Sequence, residues 1–136
     1  MTNNTFKKTY LALLTGKLGE NTGTINAPIA RKDNSIIERC IAPNGENAIT
    51  DFKVLKTFEN FTFVQFELKT GRTHQIRVHS KFIGRPILGD TLYGTASSLI
   101  SRQALHAHKI EFIHPLKHNK VTYISELPED MKALII

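Results

Sequence analysis

Residues 67–94 read ELKTGRTHQIRVHSKFIGRPILGDTLYG and carry most of the polar chemistry of this 136-residue chain. The stretch places basic groups, imidazoles and an amide around a predicted helix start. A glycine and proline stop follows, and then an acidic turn and a tyrosine. Burying so many hydrogen-bonding side chains costs desolvation free energy unless each finds a partner. The stretch therefore predicts a functional site rather than scaffold.

One helix is predicted inside this stretch. Thr73 offers an N-cap, and Gly84 with Pro86 two residues later offers a stop, so that about three turns are framed. The i, i+3, i+4, i+7 spacing places four residues on one face: His74, Arg77, Val78 and Lys81. The opposite side carries residues that can pack on a sheet: Ile76, His79 and Ile83.

Arg77 is the main functional candidate on this helix. It stands in the first turn, where backbone N–H groups favour an anion, so it could hold a carboxylate or phosphate through a bidentate contact. A solvated basic face explains the same spacing equally well. Tyr10 and Tyr93 leave a similar choice, between base stacking or proton transfer and an ordinary buried aromatic.

Strand patterns dominate the sequence on both sides of this helix. Two hairpins are predicted, one from residues 50–58 and 61–68 and one from residues 104–113 and 120–125. Other predicted elements are a buried strand at 10–14, an extended segment at 24–30, at most a short strand within 36–41, and a helix at 129–134 that Pro128 begins. The predicted fold is α+β, a single domain over 1–136 with a mixed, largely antiparallel sheet and few helices.

The bulk composition favours a soluble protein with a polyanionic partner. Eighteen Lys and Arg against twelve Asp and Glu give a net charge of +6, although an ordinary basic surface remains an alternative. The single cysteine, Cys40, excludes an intramolecular disulfide and indicates a reducing, cytoplasmic compartment. No early apolar run is long enough for a signal peptide or a membrane span, so no membrane partner is expected.

The six histidines do not predict a metal site. His74 and His79 are separated by about 140° around a helix axis and cannot chelate one ion together. His106 and His108 share a strand face, but no third ligand has a suitable spacing. We expect partly buried imidazoles that hydrogen-bond to the backbone. Nucleotide-loop glycine patterns are also absent from the sequence.

Five segments form an ordered set of motifs along nearly the whole chain. The most specific is TGRTHQIRVH at 70–79, which continues as GRPILGD at 84–90 with Tyr93 after it. The others are KTYLAL at 8–13, GTI with PI at 23–29, and LHA at 105–107 with Phe112 and His114-Pro115. These motifs resemble the signatures of the RluA-type RNA pseudouridine synthases, the group that includes RluA, RluC and RluD. The chain is identified by this resemblance as a member of that family.

The resemblance implies a reaction and a set of residue roles. These enzymes convert uridine in ribosomal or transfer RNA to pseudouridine without a cofactor. The resemblance implies that Tyr10 stacks on a flipped-out base and is a candidate for removing the C5 proton. It also implies that Arg77 pairs with the catalytic aspartate and that Leu105 walls the pocket. The candidate RNA-binding residues are Arg72, His74, Gln75, Lys81 and Arg85.

The sequence departs from the family pattern at the catalytic aspartate. That residue belongs to an H-R-L-D segment, followed by T-S-G, that should lie a few tens of residues before the K-x-Y motif. The four aspartates of this chain stand in other contexts: Asp33, Asp51, Asp90 and Asp130. We therefore expect the C-terminal portion of a catalytic domain, a partial synthase fold that is inactive alone. The alternative is a non-catalytic RNA-binding module derived from that fold.

A partial fold leads to two structural expectations. Residues 10–14 or a neighbouring strand should lack a partner, which predicts self-association through an exposed sheet edge. Arg77 should also lack its family partner. It should therefore lie in solvent, recruit an anion or contact another acidic side chain.

Overall fold

A six-stranded antiparallel sheet forms the centre of the fold. The computed structural model describes residues 6–136. The elements in chain order are β1 (Phe6–Thr15), β2 (Thr22–Asn26), β3 (Ile29–Arg31), β4 (Arg39–Ile41), β5 (Ile49–Thr57), β6 (Phe61–Leu68), α1 (Gln75–Phe82), β7 (Leu105–Ile113), β8 (Lys120–Ile124) and α2 (Glu129–Ile135). The large sheet has the order β2-β5-β6-β1-β7-β8, and β3 pairs with β4 separately. All of these pairs are antiparallel, so the α+β prediction with a largely antiparallel sheet is confirmed.

Strand β1 lies inside the sheet, not at its edge. It pairs with β6 on one side and with β7 on the other. Its segment from Leu11 to Leu14 is almost completely buried, because the strand has neighbours in the sheet and packing on both faces. The expectation that residues 10–14 or a neighbouring strand lack a partner is therefore wrong, because β6 and β7 are also paired on both sides. The outer strands are β2 and β8, and self-association through either edge stays a prediction.

The core follows the alternating pattern of the hairpin strands. Val64 and Phe66 on β6 are fully buried and pack with Ile76 from α1 and with Met131 from α2. Burying each of these large apolar side chains contributes about 1.5–3 kcal/mol relative to exposure. Both predicted hairpins, β5–β6 and β7–β8, are present, and α2 begins directly after Pro128. Neither helix among residues 6–136 is long and apolar enough to cross a membrane.

Helix α1 is shorter than the sequence predicts, with eight residues. It begins after His74, whose φ of 56° is left-handed, so the predicted N-cap at Thr73 is wrong. The Gln75 side chain organises the start instead, because its Oε1 accepts a hydrogen bond from the Arg72 N–H at 2.9 Å. The predicted stop at Gly84 is confirmed: Gly84 has φ 78°, and its N–H and that of the next residue close a Schellman motif.

Two weaker sequence predictions are refined by the structure. The extended segment 24–30 is interrupted before Ile29, so that its first part belongs to β2 in the large sheet and its last part to β3. The short strand expected within 36–41 begins only at Arg39, and Ile36 and Ile37 before it are exposed. The β3–β4 ribbon packs Ile29 and Ile41 in a small second core with Tyr93.

Candidate functional site

A pocket of about 270 Å³ opens between the start of α1 and the strands β1, β6 and β7. Tyr10 from β1, Arg77 from α1 and Leu105 from β7 all line it, so the three predicted catalytic residues meet in one place. The other lining residues are Leu68, Arg72, His74, Gln75, Ile76 and Gln103. The pocket has apolar walls from the sheet and hydrogen-bonding groups from α1 and the loop before it. Such a combination suits a planar ring with a polar edge.

Arg77 forms a bidentate ion pair with Asp90 inside the chain. Nε donates to Oδ2 and Nη2 donates to Oδ1, each at 2.9 Å. The side chain of Asp90 is 0% exposed and that of Arg77 is 15% exposed. Arg77 therefore contacts another acidic side chain, which was one of the three expected outcomes, and a solvated basic face does not describe it. The sequence motif contained Asp90, but nothing in its spacing identified it as the partner of Arg77.

The charge state of this pair follows from its hydrogen bonds. Burial alone would raise the pKa of Asp90. The hydrogen bonds from Arg77 and from the Tyr93 and Leu92 N–H groups, together with the Arg77 charge, outweigh burial and hold that pKa below its ordinary value. The same hydrogen bond raises the pKa of Arg77. Both groups are therefore charged at neutral pH.

Tyr93 packs beneath the Arg77 guanidinium. The Arg77 Cζ lies 5.0 Å from the centre of the Tyr93 ring, a cation–π distance. The Tyr93 hydroxyl accepts a hydrogen bond from the Arg39 N–H at 2.9 Å and is 2.7 Å from His74 Nδ1. Tyr93 is only 4% exposed, so the interpretation as a buried aromatic fits it better than base stacking. Burial raises its pKa.

His74 lies at the rim of the pocket in a left-handed conformation. A positive φ is uncommon outside glycine, and here the contact with Tyr93 and the start of α1 hold it. Burial lowers the pKa of His74, and the nearby charges of Arg77 and Arg39 lower it further, against a smaller opposing effect of Asp90. The imidazole is therefore neutral at physiological pH.

Gln75 is held by the chain on both sides of its amide. Its Nε2 donates to the Ile49 carbonyl and to Thr50 Oγ1, and its Oε1 accepts from Thr70 Oγ1 and the Arg72 N–H. With its side chain engaged in this way, Gln75 joins the loop before α1 to β5. An RNA contact for Gln75 stays a prediction.

The sequence of the chain matches a known family. Residues 1–81 match the family model described as RNA pseudouridylate synthase. The chain belongs to this family. It is 45% identical over 133 residues to the uncharacterized RNA pseudouridine synthase YjbO of Bacillus subtilis, covering 98% of this chain and 47% of that protein. It is 42% identical over 140 residues to the ribosomal large subunit pseudouridine synthase D of Nitrosomonas europaea, covering 96% and 40%. The chain thus spans less than half the length of these relatives.

Solved structures show the same fold. The human RNA pseudouridylate synthase domain containing 1 superposes with a TM-score of 0.77 at 30% identity, over 90% of this chain and 55% of that chain. The human RNA pseudouridylate synthase domain containing 4 superposes with a TM-score of 0.71 at 21% identity, over 93% and 60%, and this second likeness concerns the fold alone. The resemblance drawn from the five motifs is confirmed at the level of the family.

The pocket has no acidic lining residue among residues 6–136. Asp90 contacts Arg77 from below the lining, Asp51 bonds Thr24 on β2, Asp130 bonds Arg102, and Asp33 is exposed. The described part of the chain therefore offers a pocket with a guanidinium but no carboxylate in its lining.

Two predicted RNA-binding residues lie apart from the pocket. Lys81 is exposed on the last turn of α1. Arg85 is exposed beyond the helix, where its Nε donates to the Lys17 carbonyl at 2.8 Å. RNA contacts for both remain predictions, and the third basic candidate, Arg72, lines the pocket while donating to the Asn47 carbonyl at 2.7 Å.

Three further histidines hydrogen-bond to other groups of the chain. His79 is fully buried, and its Nε2 donates to the Ala27 carbonyl while Nδ1 accepts from Thr50 Oγ1. Burial lowers the pKa of His79 against the opposing effect of that carbonyl. His106 and His108 both contact the Ser125 carbonyl. Within residues 6–136 no three metal-ligating side chains come together.

Proposed function

We propose that this chain forms the uridine-binding wall of an RNA pseudouridine synthase. The observation that carries the proposal is the meeting of Tyr10, Arg77 and Leu105, from three separate elements, around one pocket. In this proposal a uridine leaves the RNA stack and enters between Tyr10 and Leu105. An apolar slot with an aromatic face offsets the stacking that a flipped base loses.

The proposed reaction is the isomerisation of uridine to pseudouridine. The N1–C1′ bond breaks and its electron pair stays on N1, the base turns, and a C5–C1′ bond forms while the C5 proton is removed and N1 takes up a proton. Tyr10 stacks on the base and is the candidate for taking that proton. Arg77 holds the carboxylate that acts at the ribose. Its position at the pocket wall supports that role.

We further propose that the carboxylate comes from a segment outside this sequence, so that the chain is the C-terminal portion of a catalytic domain and is inactive alone. The absence of an acidic lining residue among residues 6–136 supports this, because the reaction needs one. The relatives have more than twice the matched length, which leaves room for such a segment. The RNA would be ribosomal or transfer RNA, in the cytoplasm.

A chimera tests the proposed function. In it, the chain replaces the matched part of the Nitrosomonas europaea relative, and tritium release from RNA labelled at uridine C5 is measured. We expect release by the chimera, and loss of release when Tyr10→Ala or Arg77→Gln is introduced. Arg31→Gln, at an exposed arginine outside the pocket lining, is the matched control and should retain activity. A folded chimera without activity, beside an active unmodified relative, would refute the proposal.

A non-catalytic RNA-binding module is the second candidate function. The observation in its favour is that Asp90 satisfies Arg77 within the chain, so the pocket is electrostatically stable without a foreign carboxylate. This candidate predicts that the chain binds single-stranded RNA with a log–log salt slope of about −0.7 per neutralised phosphate. Salt-independent or absent binding would exclude it, and an active chimera would favour the catalytic origin of the pocket.

A further inference from the structure

The Asp90 carboxylate is immobilised by the turn that carries it. Its two oxygens accept hydrogen bonds from Arg77 Nε and Nη2, and Oδ1 also accepts from the N–H groups of Leu92 and Tyr93. The side chain is completely buried. A carboxylate bound in this way to its own turn cannot rotate without breaking several hydrogen bonds at once. The direction in which it holds Arg77 is therefore fixed by the backbone.

The guanidinium is held along one edge and over one face. Asp90 occupies the edge formed by Nε and Nη2, and the Tyr93 ring lies against the face. A guanidinium is planar and carries five N–H donors in a rigid fork. Fixing one edge and one face therefore fixes the direction of every remaining donor. Among the described residues, none accepts a hydrogen bond from Nη1, and Arg77 lines the pocket.

Tyr93 is in turn anchored to two other parts of the molecule. Its hydroxyl contacts the Arg39 N–H on β4 and His74 Nδ1 at the pocket rim. Tyr93 is also buried in the second core cluster, which contains Ile29, Ala48 and Val78. A side chain held at both its hydroxyl and its ring is a rigid support for the guanidinium above it.

We propose that Asp90 and Tyr93 are positioning residues that orient Arg77 so that its Nη1 edge faces the pocket. Asp90 is then the permanent partner of Arg77, and the free edge is kept for a second anion, a carboxylate or a phosphate. This proposal rests on the proposed function for the identity of the second anion. The orientation itself is a property of the chain and can be tested without activity.

The side-chain Nε–H signals of the arginines, measured by NMR on the ¹⁵N-labelled chain, test the orientation. Arg102 is an internal reference, because it binds Asp130 through the same two nitrogens at the surface. We expect the Arg77 Nε–H to exchange with water at least about tenfold more slowly than that of Arg102, because its acceptor is buried. Equal exchange rates in the wild-type chain would overturn the proposal, whether or not any variant folds.

Variants separate positioning from simple packing. Asp90→Asn should bring the Nε–H exchange rate of Arg77 close to that of Arg102. Asp130→Asn should leave the Arg77 exchange rate unchanged. Tyr93→Phe keeps the ring and should shift the His74 ring signals with a smaller change at Arg77. If Asp90→Asn does not fold, Tyr93→Phe still decides: an unchanged His74 signal would overturn the anchoring role of Tyr93.

The chimera adds a functional readout. A misplaced guanidinium in Asp90→Asn should lower kcat by about 100-fold with little change in KM, because misplacement of about 1 Å at a reacting centre has effects of that size. A folded Asp90→Asn chimera with wild-type kcat would overturn the positioning role. An inactive wild-type chimera with slow Arg77 exchange would instead refute the proposed function and leave the orientation of Arg77 standing.

Discussion

Two arginine–aspartate pairs in this chain have the same geometry and opposite surroundings. In Arg77–Asp90 and in Arg102–Asp130, Nε donates to Oδ2 and Nη2 donates to Oδ1, at 2.9 and 2.9 Å in the first and 3.0 and 2.9 Å in the second. The side chains are 15% and 0% exposed in the first pair and 39% and 41% in the second. Distances alone therefore do not distinguish the two.

The Nη1 nitrogen, which does not contact the aspartate, distinguishes the two arginines. Arg102 Nη1 donates to the carbonyls of Gln103 at 2.8 Å and Leu105 at 3.4 Å, so its remaining donors hold the chain just before and within β7. Arg77 Nη1 has no such acceptor among the described residues and Arg77 lines the pocket. The Arg102 pair supports the chain around β7, and in our proposal the Arg77 pair keeps a donor for a ligand.

The largest expected effect comes from removing the charge of each aspartate in turn. Asp90→Asn should lower the free energy of unfolding by about 3–5 kcal/mol, because Arg77 would be left partly buried without its counter-charge. Asp130→Asn should cost no more than about 1 kcal/mol, as exposed ion pairs do. Urea unfolding measures the free energy of unfolding of both variants. Similar losses would mean that burial does not distinguish the contributions of the two pairs to stability.

The glycine before Asp90 should show the next largest effect. Gly89 has φ 79°, and a Cβ there would collide with the Arg102 carbonyl oxygen. Gly89→Ala should therefore lower the free energy of unfolding by about 1–3 kcal/mol, from the left-handed backbone and the close contact together. Gly19→Ala is the control, because nothing lies within 4 Å of its Cβ position. Thermal unfolding distinguishes them, and equal Tm values would contradict the close approach.

Tyr93→Phe tests the support beneath Arg77 with a smaller change. The hydroxyl accepts a hydrogen bond from the Arg39 N–H, so its loss leaves a backbone donor unsatisfied and should cost about 1 kcal/mol. Tyr123 is 63% exposed, and Tyr123→Phe should stay within about 0.5 kcal/mol of wild type. Chemical unfolding of both gives the comparison. An unchanged free energy of unfolding in Tyr93→Phe would show that the hydroxyl does not fix the ring.

Lowering the pH from 5 to 3 should change the stability of the chain less than the substitutions above. Because the folded pKa of Asp90 lies below its ordinary value of 3.8, the unfolded chain binds the proton first as the pH falls. The stabilisation from Asp90 is therefore complete above about that value and is lost as the pH falls through the folded pKa. Urea midpoints from pH 5 to 3 should decline less in Asp90→Asn than in Asp130→Asn. An equal decline would contradict the lowered pKa.

The sequence predicts local elements better than it predicts partners. Alternation of Val64 and Phe66 with polar neighbours was sufficient for the β5–β6 hairpin, because one buried face imposes a period of two. Gly84 was sufficient to predict where α1 ends. The position of β1 inside the sheet was missed, because sheet order depends on contacts between distant segments. The start of α1 was missed as well, because Gln75 replaces a Thr73 cap.

In the candidate site, too, the sequence predicts single residues better than it predicts the contacts between them. The motif residues Tyr10, Arg77 and Leu105 could be selected by resemblance, and the structure brings them together. The partnership of Arg77 with Asp90 depends on the turn at Gly89, which places a carboxylate under the helix from 13 residues further along the chain. No periodic pattern encodes such a contact.

Tritium release by the chain alone, from RNA labelled at uridine C5, is the most direct test of the central claim. The claim is that the pocket holds a guanidinium whose buried partner, Asp90, positions it and does not react. We expect the folded chain to give no release above that of RNA without protein. Release that Asp90→Asn abolishes and Asp130→Asn preserves would contradict it, because Asp90 would then be the reacting carboxylate.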